Sequence, residues 1–176
     1  MSKITRPSPL PYSHTCFVCG DANGRGLQVR FHLQGEGVAT VFTPAADLEG
    51  YPGRVHGGIL AALLDETMGW APCVKHGRFC VAVELTVRYL KSVPAGTTLT
   101  VYGEAVGEKR RLWEAEGKVR DDVGTLYARG RGRYFPLSQE ETDAVMQILH
   151  VEGESLSLGD AISLARQTGS PTRGGG

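Results

Sequence analysis

Val55-His56-Gly57-Gly58-Ile59-Leu60-Ala61-Ala62-Leu63-Leu64-Asp65-Glu66 opens the longest helical signal in the chain, over about residues 57–75. Its centre, residues 59–70, is apolar on nearly every side apart from Asp65, Glu66 and Thr67. A helix without a polar face is a buried helix. Pro72 falls late in the pattern and allows a kink or an earlier stop. Glycines at the first two positions leave the opening N–H groups uncovered by side chains. Those groups carry the positive end of the helix dipole and suit an oxygen that gains negative charge. Asp65 follows Gly58 by seven residues, which puts it within about 20° of the same face and about 10 Å further along the axis. That gap is too wide for both to act on one atom within one chain. Two such helices packed antiparallel about a two-fold axis would bring Asp65 of one chain beside Gly58 of the other, so the spacing predicts a homodimer with shared sites.

Each of these features has a plainer explanation. Glycine before a helix is common, and His-Gly-Gly alone fits a tight loop-to-helix transition. A helix carboxylate is ordinarily paired with a base, but Leu63, Leu64, Met68 and Gly69 give Asp65 few partners nearby. An ionised carboxylate in apolar surroundings is costly, and such costs concentrate at functional sites. Glu66, rotated by about 100°, reads as a structural or rim carboxylate.

Around the helix the periodicity is that of strands. Leu27, Val29, Phe31 and Leu33 share one face of residues 27–34, Gly35-Glu36-Gly37 is a hairpin signal, and residues 38–43 are its partner. Beyond Gly77, the residues Phe79, Val81, Val83, Leu85, Val87 and Tyr89 alternate with Cys80, Ala82, Glu84, Thr86 and Arg88. Further strands are predicted over residues 97–109, 112–120 and 125–135. Two strands before one buried helix and a run of long antiparallel strands after it predict an α+β fold whose sheet curls around the helix. Ser138-x-x-Glu141 is a capping-box signature for a helix over residues 139–150, and a second helical stretch follows near 159–167. The chain thus divides into an extended arm (1–13), the main domain (14–136) and a C-terminal helical extension (137–176) with a flexible Gly174-Gly175-Gly176 end.

Composition narrows the function classes. A hydrophobic fraction of 41% and a charged fraction of 22% are those of an ordinary globular chain. Nineteen basic residues balance nineteen acidic ones, so no overall field points to nucleic acid or a membrane. No apolar run would span a bilayer and no signal-peptide stretch is present, which gives a cytoplasmic expectation with four reduced cysteines.

The combined motif resembles the hotdog-fold acyl-CoA thioesterase superfamily, in the branch of the phenylacetyl-CoA-type thioesterases. The resemblance runs through Gly50-Tyr51-Pro52-Gly53-Arg54-Val55-His56-Gly57-Gly58-Ile59, Leu64-Asp65-Glu66 and Val83-Glu84-Leu85-Thr86-Val87-Arg88-Tyr89-Leu90. Cys16-Phe17-Val18-Cys19-Gly20 with Gly26-Leu27 is similar to the lead-in of many members, so roughly residues 15–135 are covered. The resemblance implies a curved antiparallel sheet wrapped around the central helix, and hydrolysis of an acyl-CoA or acyl-carrier thioester without metal or organic cofactor. Asp65 would be nucleophile or general base, Gly57 and Gly58 would supply backbone donors to the carbonyl, and His56 would shape the pocket. Substrate contacts are expected from Glu66, Glu84, Thr86, Arg88 and Lys91, and the assembly from a dimer or a dimer of dimers. Gly50 stands where some relatives carry asparagine, and Ala82 where others place a hydroxyl residue; Thr86 or Glu84, on the same strand face by alternation, would substitute.

Other constellations carry less. His14-x-Cys16-x-x-Cys19 offers three zinc ligands and Cys73 or Cys80 a fourth, but a second close pair is missing, so a packed turn is the default. A redox role for the two cysteines lacks the strand and helix that would frame it. Arg129-Gly130-Arg131-Gly132-Arg133 lies in strand, with arginines on one face and glycines on the other. The glycine face would admit the helix, and the arginine face is solvated or, with Arg88, Lys91, Arg110 and Arg111, meets coenzyme A phosphates. The rivals to hydrolysis are a non-catalytic acyl-CoA-binding module and, more weakly, a hydratase on the same fold.

Overall fold

A computed structural model describes residues 9–151, 153 and 156–168; residues 1–8 of the expected arm and the Gly174-Gly175-Gly176 end lie outside the described residues. The elements in chain order are β1 (His32–Gln34), β2 (Gly37–Phe42), β3 (Glu49–Tyr51), β4 (Arg54–Val55), α1 (Gly57–His76), β5 (Cys80–Tyr89), β6 (Leu99–Lys109), β7 (Leu112–Asp121), β8 (Leu126–Pro136), α2 (Gln139–Ile148) and α3 (Leu158–Thr168). Six strands form one antiparallel sheet in the order β1-β2-β6-β7-β8-β5, while β3 and β4 make a small hairpin ahead of the helix. This is the α+β architecture that the sequence predicts.

The helix is buried because its sequence leaves it no wet face. Leu60, Leu63, Leu64, Thr67, Met68 and Ala71 are each at most 2% exposed, and α1 packs against β2, β5, β6, β7 and β8. Thr67 escapes the cost of a buried hydroxyl by donating to the Leu63 carbonyl at 2.6 Å. Pro72 does not stop the helix, which runs on to His76. It ends at Gly77, where a φ of +74° suits glycine and the N–H closes on the Cys73 carbonyl.

Close approach of helix and sheet rests on a row of glycines. Gly103, Gly117 and Gly130 are register neighbours across β6, β7 and β8. A Cβ at Gly103 would come within 2.9 Å of the Thr67 carbonyl oxygen, and one at Gly117 or Gly130 within 2.9 Å of Leu64 or Met68 side-chain atoms. The glycine face of β8 therefore meets the helix, as its alternation with arginine predicts.

Two expectations need correction. Residues 27–31 are not ladder strand, because Gln28 takes a φ of 53° and interrupts the extension. Leu27, Val29 and Phe31 are buried all the same, with the Leu27 and Val29 N–H groups bonded to the Phe17 and Val18 carbonyls of the cysteine loop. The alternation over residues 79–89 is broken by a bulge, since Ala82 pairs with Tyr134 but Glu84 with Arg133, leaving Val83 extra. Ala82 consequently shares the helix-side face with Leu85, Val87 and Tyr89, whereas Glu84, Thr86 and Arg88 stand opposite Arg133, Arg131 and Arg129 on the outer face. The described part of the arm is extended, as expected, and it also packs on the fold: Leu10 and Tyr12 are buried, and Tyr12 exchanges backbone hydrogen bonds with His150.

The C-terminal extension begins at the predicted capping box, with Ser138 Oγ accepting from the Glu141 N–H and Glu141 Oε2 from the Ser138 N–H. It then returns to the core, where Leu158 and Ala161 of α3 are buried and α3 packs on α1.

Candidate active site

Midway along α1, Asp65 opens into a cavity of about 250 Å³. Its walls come from four directions: Glu66, Gly69, Trp70 and Cys73 of the same helix, Ala82 and Tyr134 of the sheet, Val145 and Leu149 of the C-terminal extension, and Cys16 and Cys19 of the N-terminal cysteine loop. Burial raises the Asp65 carboxyl above its ordinary range, and the Tyr134 hydroxyl partly offsets this. That hydroxyl donates to the Asp65 carbonyl at 3.1 Å and lies 3.4 Å from Asp65 Oδ1. Oδ2 has no hydrogen-bond partner among the described residues, and no lysine or arginine pairs with the carboxylate there. One oxygen thus has a hydroxyl nearby and the other is unbonded among the described residues.

The helix start lies elsewhere. His56 is the N-cap, and its Nδ1 accepts the Gly58 N–H at 2.9 Å. Gly58 is therefore not the free donor that the sequence suggests; the Gly57 N–H, with no acceptor among the described residues, is. Tyr89 packs its ring over Gly57 and donates its hydroxyl to the Gly57 carbonyl at 2.8 Å. A second hollow here is lined by Val55, Gly57, Leu60, Tyr89, Lys91 and Val93. Eight residues of helix separate Gly57 from Asp65, about 12 Å of rise, so one chain keeps donor and carboxylate apart.

Glu84, Thr86 and Arg88 join neither hollow. The bulge turns them outward, where Glu84 and Thr86 line a polar groove with Lys109, Arg110, Glu114, Arg131 and Arg133. Glu84 pairs with Arg133 at 3.3 Å, and Arg131 lies 3.6 Å from Glu114, so part of the arginine face is matched by carboxylates. Neither Glu84 nor Thr86 can stand in for a hydroxyl at Ala82.

Glu66 has company that the sequence does not announce. Cys16 Sγ lies 3.4 and 3.6 Å from its two carboxylate oxygens, and the Cys19 thiol donates to Oε1 at 3.3 Å. Burial, and then the negative charge of Cys16, push Glu66 up to about 8. Cys16 is held at about 5, chiefly by the hydrogen bond from Cys19, which is itself pushed up by that bond and by burial. His14 bonds instead to Asp21, and Cys73 faces Cys80 with 3.5 Å between sulfurs.

The comparisons with known proteins agree with this architecture. Residues 52–128 match the thioesterase superfamily. That stretch, from β4 through α1 into β8, carries the superfamily's pattern. The acyl-coenzyme A thioesterase THEM5 of Mus musculus is 30% identical over 122 residues, which are 67% of this chain and 48% of that protein. The chain spans about half the length of the curated relatives that it matches. Among solved structures, a thioesterase superfamily protein superposes with a TM-score of 0.64 at 26% identity, covering 69% of this chain and 60% of its own. The E. coli PaaI protein from the phenylacetic acid degradation operon shares the hotdog fold, with a TM-score of 0.60 at 22% identity over 67% of this chain and 86% of that one. Within the matched residues, Asp65 and the Gly57 start of α1 are the two poles of the candidate site. Tyr134 is the residue that sequence reading missed. Its signal was its place on the Gly130 and Gly132 face of β8, the face turned to the helix.

Proposed function

We propose that this chain hydrolyses an acyl-coenzyme A thioester to the free acid and coenzyme A thiol, with Asp65 as the acting carboxylate. The observation that carries this is Asp65 itself, on the wall of a largely apolar cavity: among the described residues its carboxylate has no cationic partner, one oxygen lies 3.4 Å from the Tyr134 hydroxyl and the other is unbonded. The THEM5 relatives are named acyl-coenzyme A thioesterases, which supports the substrate class. As general base, Asp65 Oδ2 takes a proton from water while the resulting hydroxide bonds to the carbonyl carbon; the C–S bond then breaks and that proton passes to the departing thiolate. As nucleophile, Oδ2 itself bonds to that carbon and the C–S bond breaks; water then hydrolyses the mixed anhydride, releasing the free acid, restoring the carboxylate and supplying the thiolate's proton. The carbonyl oxygen needs a donor as it becomes an oxyanion, and the Gly57 N–H at a helix start is such a donor.

Because that donor lies about 12 Å from Asp65 in one chain, the site is proposed to form between two copies, one lending Asp65 and the other Gly57. The sheet supports this assembly, since β5 is an edge strand with Val81 and Val83 about half exposed. A cavity of about 250 Å³ lies below the roughly 300–1,000 Å³ of sites that bury whole drug-sized ligands, so it suits the acyl group alone. Trp70, Phe79, Val145 and Leu149 give it an apolar wall, in keeping with an aryl or short alkyl acyl chain. Lys91 lines the hollow beside Gly57, which supports a role for its ammonium at a coenzyme A phosphate. A cytoplasmic setting belongs to the same proposal.

The acyl-CoA-binding module keeps one observation in its favour. Ala82 stands in the cavity wall without a hydroxyl, and the bulge turns Glu84 and Thr86 away from it. Thiol release from aromatic and aliphatic acyl-CoAs, by wild type and Asp65→Asn, separates the readings. Hydrolysis predicts turnover that falls by about 10²-fold or more in Asp65→Asn while acyl-CoA binding survives. Binding without thiol release in wild type would favour the module, and equal turnover in both proteins would remove Asp65 from the mechanism.

A further inference from the structure

The cysteine loop meets the central helix through three acidic groups and no cation. Cys16, Cys19 and Glu66 each offer one ligand atom, and those atoms all lie within 4.8 Å of one another. Two come from a short turn and one from α1, 47 and 50 residues away, so the cluster is a product of the fold. The turn is shaped around an accepting sulfur: the Val18 and Cys19 N–H groups both point at Cys16 Sγ, at 3.3 and 3.4 Å. Glu66, though largely buried, forms no ion pair with lysine or arginine among the described residues.

The distances fit a common ion. Zinc binds thiolate at about 2.3 Å and carboxylate oxygen at about 2.0–2.2 Å. With tetrahedral angles, those lengths place sulfur and oxygen about 3.6 Å apart. The observed Cys16–Glu66 and Cys19–Glu66 separations are 3.3–3.6 Å. Hydrogen-bonded thiols explain these contacts in the metal-free state, and the same three ligand atoms already stand at the spacing a shared divalent ion requires.

We propose that Cys16, Cys19 and Glu66 bind a thiophilic divalent cation of the zinc class, which clips the cysteine loop to α1 beside the cavity. Binding displaces the protons held by the cluster, leaving two thiolates and a carboxylate on the ion. All three side chains line the Asp65 cavity, so the fourth ligand comes from solvent or from a molecule within it. His14 is excluded from the set by its bond to Asp21, and Cys73 and Cys80 by their mutual contact. The site is independent of whether the chain hydrolyses thioesters.

Cobalt(II) alone, added to reduced, metal-stripped protein, is the probe. One ion per chain should bind, with a thiolate-to-cobalt charge-transfer band in the near ultraviolet and tetrahedral bands in the visible. Glu66→Gln preserves shape and relieves a buried carboxylate, so it should fold and yet bind at least about tenfold more weakly, with Cys16→Ser and Cys19→Ser doing the same. Cys80→Ser should bind like wild type. Wild type that shows no charge-transfer band at stoichiometric cobalt, or uptake that Glu66→Gln leaves unchanged or Cys80→Ser abolishes, overturns the assignment. None of these readouts requires turnover, so failure here and failure of the hydrolase reading are separate results.

Discussion

His76 ends α1 with its ring stacked on Trp113, 4.3 Å between centroids and 12° between planes. A cation at a helix C-terminus is ordinarily favourable. Here burial, and then the neighbouring Lys75, lower the His76 pKa below its usual 6.5, with Glu108 opposing them. A lowered histidine pKa means that the unfolded chain takes up the proton first as pH falls. The stability tied to neutral His76 is therefore complete above about pH 6.5 and is lost as pH falls toward the folded value. His76→Phe keeps a ring on Trp113 without the titration. Its melting temperature should vary less than that of wild type between about pH 7.5 and 5, and parallel curves would show that His76 does not govern this range. Chemistry legible from a single residue was legible in the sequence: Asp65 stood out because its neighbours in the chain are apolar. Tyr134 and the partners of Glu66 were not, because Asp65 meets Tyr134 across 69 residues and Glu66 meets Cys16 across 50.

Between elements, the sheet admits the helix only where side chains are absent, and the glycine row should not be uniformly sensitive. At Gly103 an added methyl would meet helix backbone, with the Thr67 carbonyl oxygen at 2.9 Å and Met68 Cα at 3.0 Å. At Gly130 it would meet the end of the Met68 side chain, with Cε at 2.9 Å. A methionine tip can move aside, whereas helix backbone moves only with the helix. Gly103→Ala should therefore cost about 1–3 kcal/mol in denaturant unfolding, and Gly130→Ala clearly less. Equal costs would mean that the helix shifts freely over the sheet. Alternation with arginine made the glycine face of β8 readable in advance. The β5 bulge was not readable, since Val81, Val83 and Leu85 continue a period of two through the inserted residue, and only pairing with β8 reveals that Val83 has no counterpart. That single residue moved Glu84 and Thr86 from the expected pocket to the outer face.

Among the described residues the six-stranded sheet has two edges, β1 and β5, and they are treated differently. At β1 the edge is short, and Pro9 forms a bridge with His32. At β5 it is ten residues long, with Val81 48% and Val83 53% exposed. A long apolar edge is a template for another strand, and a second copy of β5 would cover it. The reading of the site asks for the same partner, because about 12 Å of helix separates Gly57 from Asp65. Val83→Asp tests both together. The side chain is exposed and lies outside the register with β8, so the charge costs the isolated chain little. Between two β5 strands it would place like charges close together, which destabilises strand pairing. Light scattering should give a dimer for wild type and about half that mass for Val83→Asp. Thiol release should fall with the dimer fraction and recover at high protein concentration. A monomeric Val83→Asp that turns over like wild type would mean that each chain holds a complete site and that Gly57 is not the donor. A dimer undisturbed by the charge would instead move the interface away from β5.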